Sequence, residues 1–414
     1  YSKIVLRKFN NRYGETIMKI FYSTEVFLPH ISGVTKQVDK LASYFAQQLK
    51  HQVWVITTST TGEYVEEGNE NSYNVLRLKS YPNPFKKNLR ISYANTKIIA
   101  KILEEYQPDI IHLQDPVFIS QCLAKEAHKR NIPIISTQHS SMAFPLAYLD
   151  LPPNFNRWAQ KTLTKMLANF FNKYCQLVIT PSQFLKEEVE QGKVNVPIKV
   201  VSNGVDLNIF KRNQISEEFL NKYQLLDFIN KPIILYVGRI DKDKNLETLM
   251  KVIPSVLKNN STHFLLVGDG NLKDRLMREV ANLALTNYVR FTGAIDAFNE
   301  DIVNFYNLAS VFVMPSAIEA QNLAVMEAMA CGLPIVAANS GALPELVRNT
   351  ENGFLVPPYA VEAYTQALGT ILANEQLQNK MGQQSRILIA DHDFINTCQQ
   401  LFGIYTAVYK SLSR

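Results

Sequence analysis

Short apolar runs alternate along this chain with longer stretches whose apolar residues recur at three- and four-residue spacing. Lys19-Ile-Phe-Tyr-Ser23 and Gln52-Val-Trp-Val-Ile-Thr57 bracket a stretch with Val38, Leu41, Ala42, Phe45 and Leu49 at core spacing, which predicts a strand, a helix and a strand. That order opens a parallel α/β sheet, whose ligands gather beyond the carboxyl ends of the strands. Ile110-Ile-His-Leu113 and Pro133-Ile-Ile-Ser-Thr-Gln-His139 are two further strand ends of the same sheet. After Phe210 a polar stretch through Asn230 carries no sheet signal, so the domain junction is expected there. A second series then begins. Pro232-Ile-Ile-Leu-Tyr-Val-Gly238, His263-Phe-Leu-Leu-Val-Gly268, Val289-Arg-Phe-Thr-Gly293, Val311-Phe-Val-Met314 and Ile335-Val-Ala-Ala338 predict strands, with helices from near Leu246 and over 322–330, the latter closed by Gly332.

A length of 414 residues is long for one core and suits two domains. A formal net charge of +6 is too modest for a nucleic-acid binder, but it suits an anionic nucleotide or an anionic membrane surface. No apolar run approaches the length that spans a bilayer. Cys122, Cys175, Cys331 and Cys398 lack the paired spacing of zinc or redox sites and read as reduced thiols of a cytoplasmic protein. Residues 1–17 are basic and polar around Ile4-Val-Leu6, too short a run for a secretory signal, and are expected to form an extension ahead of the first strand.

Several residues stand where chemistry is done. The stretch over 316–345 is a strand-loop-helix-strand unit with Glu319 in its loop and Glu327 in its helix. The helical neighbours of Glu327 are Leu323, Ala324, Ala330 and Cys331, so it needs either a partner such as the hydroxyls or amides of a ligand or a partly solvated helix end. Gly33 sits where a loop enters a helix, and Arg239 and Lys244 follow a strand just ahead of another helix, a ready site for a diphosphate. His139 lies just past a strand end. Asp241-Lys-Asp243 invites a metal, but the flanking cations compete with one. Gly268-Asp-Gly270 fails as a dinucleotide fingerprint because Lys273 occupies the third glycine position. Arg157, Lys161 and Lys165 recur at four-residue spacing on a helix whose other faces carry Trp158, Leu163, Met166, Leu167, Phe170 and Phe171. Such a helix either lies on an anionic bilayer or packs its apolar side on the core and leaves its cations solvated; the latter is the expectation.

The spacing of Glu319 and Glu327, followed by Ala328-Met-Ala-Cys-Gly-Leu-Pro334, resembles the carboxylate motif of retaining glycosyltransferases of family 4 with the GT-B fold. Leu177-Val-Ile-Thr-Pro-Ser182, Lys199-Val-Val-Ser-Asn-Gly-Val-Asp206, Gly238-Arg239 and Lys244-Asn245 resemble further signatures of that family. The resemblance implies an α/β GT-B fold of two Rossmann-like domains around a cleft: an acceptor-binding domain over 18–212, a nucleotide-sugar-binding domain over 213–392, and a helix over 393–414 that returns to the first. It implies Glu319 and His139 beside the donor sugar, Glu327 on the ribose, Arg239 and Lys244 on the diphosphate, Gly293 near the base, and Gly33, Gln321, Asn322 and Leu323 in the donor site. Ala320-Gln321-Asn322 stands where the family often has Gly-Phe-Gly.

The implied activity is a metal-independent, cofactor-free, retaining hexosyl transfer from a nucleotide-diphosphate sugar to a hydroxyl acceptor. Ser32-Gly33-Val34 and Glu319-Ala-Gln321 resemble glycolipid-forming members, which points to a membrane lipid such as diacylglycerol and to peripheral association with the inner face of the membrane. The competing acceptor is a polysaccharide or lipid-linked oligosaccharide. A non-catalytic sugar-binding protein and a sugar-nucleotide epimerase are the alternatives of other classes.

Overall fold

Residues rich in Val, Ile and Leu form parallel strands where helices cover both faces of the sheet, and the apolar runs of this chain meet that condition. The computed structural model describes residues 17–30, 32–68, 73–83, 90–142, 152–295 and 301–412. Residues 1–16 of the expected extension and the basic pair Lys86-Lys87 lie outside the described residues. The first sheet and its edge use β1 (Lys19–Ser23), β2 (Gln52–Thr58), β3 (Val65–Gly68), β4 (Asn74–Leu78), β5 (Ser80–Pro82), β6 (Arg90–Ser92), β7 (Ile110–Leu113), β8 (Ile134–Thr137), β9 (Leu177–Thr180) and β10 (Ile198–Val200). Its order is β10-β9-β8-β7-β1-β2-β4-β3, parallel except for β3, which runs antiparallel along β4, while β5 and β6 pair with each other.

The second sheet uses β11 (Ile233–Val237), β12 (His263–Val267), β13 (Val289–Gly293), β14 (Val311–Met314), β15 (Ile335–Ala338) and β16 (Gly353–Val356). Its order, β13-β12-β11-β14-β15-β16, is that of a Rossmann unit, with all its strand pairs parallel. In each sheet the strand order reverses beside the first strand, between β1 and β7 and between β11 and β14. Open α/β sheets form their ligand crevice at such a reversal.

The helix Gly33–Gln47 buries Val38, Leu41, Ala42 and Phe45 against the first sheet. The last helix, Phe394–Leu412, adds Phe394, Cys398, Leu401, Ile404, Tyr405 and Val408 to that same core, so the chain's end packs on its beginning. The crossing is tight at Gly204, whose φ is +77° and where a Cβ would stand 2.8 Å from the Phe394 Cα. Tyr405 anchors the helix through its hydroxyl, 2.6 Å from His112 Nδ1 and 3.1 Å from the Tyr22 hydroxyl, while His112 Nε2 lies 2.6 Å from Thr137 Oγ1.

The helix Pro153–Tyr174 meets its expectation only in part. Leu167 and Phe171 enter the core, but Trp158 and Met166, read from the sequence as part of the packed side, are 60% and 63% exposed beside exposed Arg157, Lys161 and Lys165. Trp158 instead lies against exposed Phe155, ring centroids 5.3 Å apart.

Two buried histidines tie stability to pH. His51 accepts from the Met18 N–H at Nδ1 and packs against Phe45 and Phe402, and burial lowers its pKa to about 4. Burial, then the nearby His139, lowers that of His112 to about 3. Both are neutral when folded and take up protons near pH 6.5 when unfolded, so their contribution is complete above about 6.5 and is lost as the pH falls towards 4 and below. Urea unfolding should lose up to about 1.4 kcal/mol per pH unit for each histidine below pH 6.5. In His51→Gln, which cannot take up that proton, the slope should be shallower; an unchanged slope would contradict the assignment.

Candidate active site

The loop behind β14 carries Glu319, and its shape is set from two sides. Asn245 adopts a left-handed conformation, φ 53°, which this residue type tolerates, and its amide donates to the Pro315 carbonyl at 3.1 Å. Ser316 Oγ donates to the Asp243 carbonyl at 3.1 Å. From the other side the Ala342 N–H donates to the Glu319 carbonyl at 2.9 Å. Gly341, φ +58°, approaches so closely that a Cβ there would meet that carbonyl oxygen at 2.5 Å. Glu319 is thereby held in place, 7% exposed.

Its partner is Lys244, whose Nζ stands 2.7 Å from Glu319 Oε1 and 3.4 Å from Asp243 Oδ2. Burial by itself pulls the Lys244 ammonium down, but the charges of Glu319 and Asp243 outweigh it, and its pKa lies above the ordinary lysine value. Arg239 is paired with Asp241 and, at 2.8 Å, with Asp243, and its side chain remains 48% exposed. The two aspartates that invited a metal therefore hold an arginine. Among the described residues no cluster of His, Cys, Asp and Glu could hold a metal ion.

A cleft of about 400 Å³ opens over this pair, walled by residues from both sheets. Gly33, His139, Arg239, Lys244, Glu319, Gln321 and Leu323 all line it, so most of the candidates converge from strand ends far apart in sequence. Burial pushes the His139 pKa down to about 4, so the ring is neutral at pH 7. Its Nε2 lies 2.7 Å from Gln114 Oε1; as donor to that acceptor it carries the proton, which leaves Nδ1 as an acceptor.

Glu327 lines a smaller adjoining pocket with Lys36, Gln37 and Lys40, and Leu323 borders both cavities. It is 9% exposed and accepts from the Tyr306 hydroxyl at 2.6 Å, a buried acid with a protein partner and not a solvated helix end. Two candidates lie elsewhere. Asn322 caps the helix Leu323–Ala330, accepting from the Val325 N–H at 2.9 Å, and Gly293 ends β13 outside the cleft lining.

Gln321 lines the cleft and also joins its walls: its Oε1 accepts from the Asn203 N–H at 2.8 Å and its Nε2 donates to Ser202 Oγ at 3.1 Å. Nearby, Ser182 Oγ donates to the Ala320 carbonyl, and Glu345 accepts from the Gln183 and Phe184 N–H groups at 2.9 and 2.6 Å. Glu345, Tyr306 and Asp115 stand beside the candidates without being among them. For Asp115 a signal existed, since Gln114-Asp-Pro116 stands directly behind the strand at 110–113. Tyr306 had none, because only the fold brings it to Glu327.

The two halves of the chain match two family models. Residues 31–209 match the one described as Glycosyltransferase Family 4, and residues 221–387 the one described as Glycosyl transferases group 1. The chain is similar to the alpha-monoglucosyldiacylglycerol synthase of Streptococcus pneumoniae, 26% identical over 341 residues that cover 82% of this chain and 75% of that protein. Among solved structures it is similar to a sucrose-phosphate synthase from Thermosynechococcus elongatus, TM-score 0.76 at 21% identity over 95% of this chain and 100% of that one. It is also similar to Anabaena HepE solved with UDP-glucose, TM-score 0.75 at 20% identity over 94% of this chain and 100% of that one. The fold is GT-B.

The buried pair at the cleft floor can be tested by a double-mutant cycle. Lys244→Met strands the Glu319 carboxylate and should cost about 3 kcal/mol in urea unfolding. Adding Glu319→Gln should recover much of that loss. If the second change adds a further full loss, the two groups are not coupled.

Proposed function

The chain belongs to glycosyltransferase family 4, and on that premise we propose that it moves a hexose from a nucleotide-diphosphate sugar to a hydroxyl acceptor with retention at the anomeric carbon. The observation that carries this reading is the convergence of Arg239, Lys244, Glu319, His139 and Gly33 on one interdomain cleft. In the reaction the bond from the anomeric carbon to the diphosphate oxygen breaks, and its electron pair leaves with the phosphate. The acceptor oxygen bonds to that carbon on the same face, and its proton passes to the departing phosphate oxygen.

Stabilising the leaving charge is the main demand on the protein. Lys244 and Arg239 meet it in place of a metal, aided by the N-terminus of the helix at Gly33. The diphosphate competes with Glu319 for Lys244, which frees that carboxylate for the hexose hydroxyls. Neutral His139 offers its Nδ1 lone pair to a sugar hydroxyl from the opposite wall. Glu327, held by Tyr306, accepts from the ribose hydroxyls.

The acceptor we infer is a membrane lipid such as diacylglycerol. The relative's name supports it, as does the helix Pro153–Tyr174, which presents Phe155 and Trp158 to solvent beside three exposed cations, the composition of an interfacial helix. No helix among the described residues is long and apolar enough to cross a membrane.

Two tests follow. Arg239→Ala should lower turnover about a hundredfold, equivalent to about 3 kcal/mol of transition-state stabilisation, with hexose release from the nucleotide sugar as the readout. Unchanged turnover would refute the leaving-group role. The chain has 2 tryptophans, of which Trp54 is buried, so a blue shift in tryptophan emission on adding anionic phosphatidylglycerol vesicles reports on Trp158. The shift is expected, together with about tenfold weaker binding in Trp158→Ser. Emission that stays constant at all lipid concentrations would remove the interfacial role.

A further inference from the structure

The geometry points to Asp115 as the acceptor-side carboxylate, accepting a hydrogen bond from the hydroxyl that receives the sugar. This deepens the transferase reading and rests on it. Among the described first-domain residues that line the cleft, Asp115 is the one acid. It follows β7 directly, and the Gln114 N–H is bonded to the Ser23 carbonyl at the end of β1. Asp115 thus stands in the crevice where the strand order of the first sheet reverses, facing the crevice of the second sheet across the cleft.

Its orientation is fixed. Oδ2 accepts from the Glu25 N–H at 2.8 Å and from Thr24 Oγ1 at 3.2 Å. Among the described residues Oδ1 receives only Ser120 Oγ, at 3.3 Å, which leaves capacity on that oxygen for a further donor. The neighbouring acid Glu25 is otherwise engaged. Its Oε1 accepts from Thr58 Oγ1 and from the Ser92 hydroxyl and N–H, and its Oε2 from the Ile119 N–H, an arrangement that ties β6 to the sheet. His139 is held beside this wall by Gln114.

A carboxylate here holds the docked acceptor by its one O–H hydrogen, with the oxygen's lone pair towards the anomeric carbon; as the new bond forms, that hydrogen turns from Asp115 to the leaving phosphate oxygen, which takes the proton. The groups that face Asp115 are Thr24 and Glu25 behind β1 and Ser120 on the helix Phe118–Lys129. Burial raises its pKa to about 6; the Glu25 N–H and the two hydroxyls oppose the rise, and the Glu25 charge adds to it. Acceptor use should therefore fall as the pH drops through about 6.

The test is Asp115→Asn, assayed with diacylglycerol in mixed micelles and the nucleotide hexose that supports transfer. Acceptor kcat/KM should fall about tenfold or more, as for loss of one charged hydrogen bond. The nucleoside diphosphate Kd should stay within about twofold of the parent, because the substituted group lies on the other wall. The parent's decline in acceptor kcat/KM below about pH 6 should disappear in Asp115→Asn, and Asp115→Glu should recover part of the loss. A variant with parental kcat/KM, or one that keeps the decline, overturns the inference. If Asp115→Asn does not fold, the parent decides: acceptor kcat/KM that stays flat from pH 7.5 to 5 overturns it equally. The two readings fail separately. A parent that transfers no sugar removes the transferase reading, whereas a parent and a variant that transfer equally well remove only this one.

Discussion

The ion pair between Lys244 and Glu319 is the constraint on which the cleft depends. Both groups are largely withdrawn from water at the floor of an interdomain crevice, and neither is stable there alone. Their partnership explains why the loop after β11 and the loop after β14 are cross-linked through Asn245, Pro315, Ser316 and Asp243. It also explains why Gly341 packs against the Glu319 carbonyl, since a side chain there would push the acid out of register with the lysine. A ligand that offers two negative charges to Lys244 and hydroxyls to Glu319 satisfies both groups at once. A nucleotide-diphosphate sugar has that chemistry.

Around this pair the two sheets are arranged as counterparts. Each places its strand-order reversal at the cleft: the second domain contributes the cations, and the first contributes a glycine helix start, a neutral histidine and an acid. The lobes are joined by single polar contacts, from Gln321 to Ser202 and Asn203, Ser182 to the Ala320 carbonyl and Glu345 to the helix start at Gln183. The last helix adds apolar packing by crossing back onto the first core. Gln321, the middle residue of the Ala320-Gln321-Asn322 that stands where the resembled family often has Gly-Phe-Gly, thus helps to set the spacing between the walls.

Much of this was legible in the residues. The runs at 19–23, 110–113, 289–293, 311–314 and 335–338 are strands with the expected bounds, and those at 311–314 and 335–338 were the plainest, because a strand covered on both faces is apolar throughout. β3 was not legible, since its half-exposed Val-Glu-Glu-Gly lies on the sheet edge and has no apolar signature. β4 was hidden by Arg77, a charge inside a buried strand that is tolerated because Glu67 on β3 pairs with its Nε at 2.9 Å. The exposure of Trp158 and Met166 was missed because periodicity says which residues share a face, not whether anything covers it. The roles of Tyr306 and Glu345 depend on residues brought near only by the fold, which no local pattern records.

The central claim, that the cleft above Lys244 and Glu319 receives a diphosphate, is tested most directly by determining the structure of the protein with a nucleoside diphosphate bound. The account predicts phosphate oxygens within hydrogen-bonding distance of Lys244 Nζ and the Arg239 guanidinium, and ribose hydroxyls on Glu327. A nucleotide bound away from this cleft, with Lys244 still closed on Glu319, would contradict it.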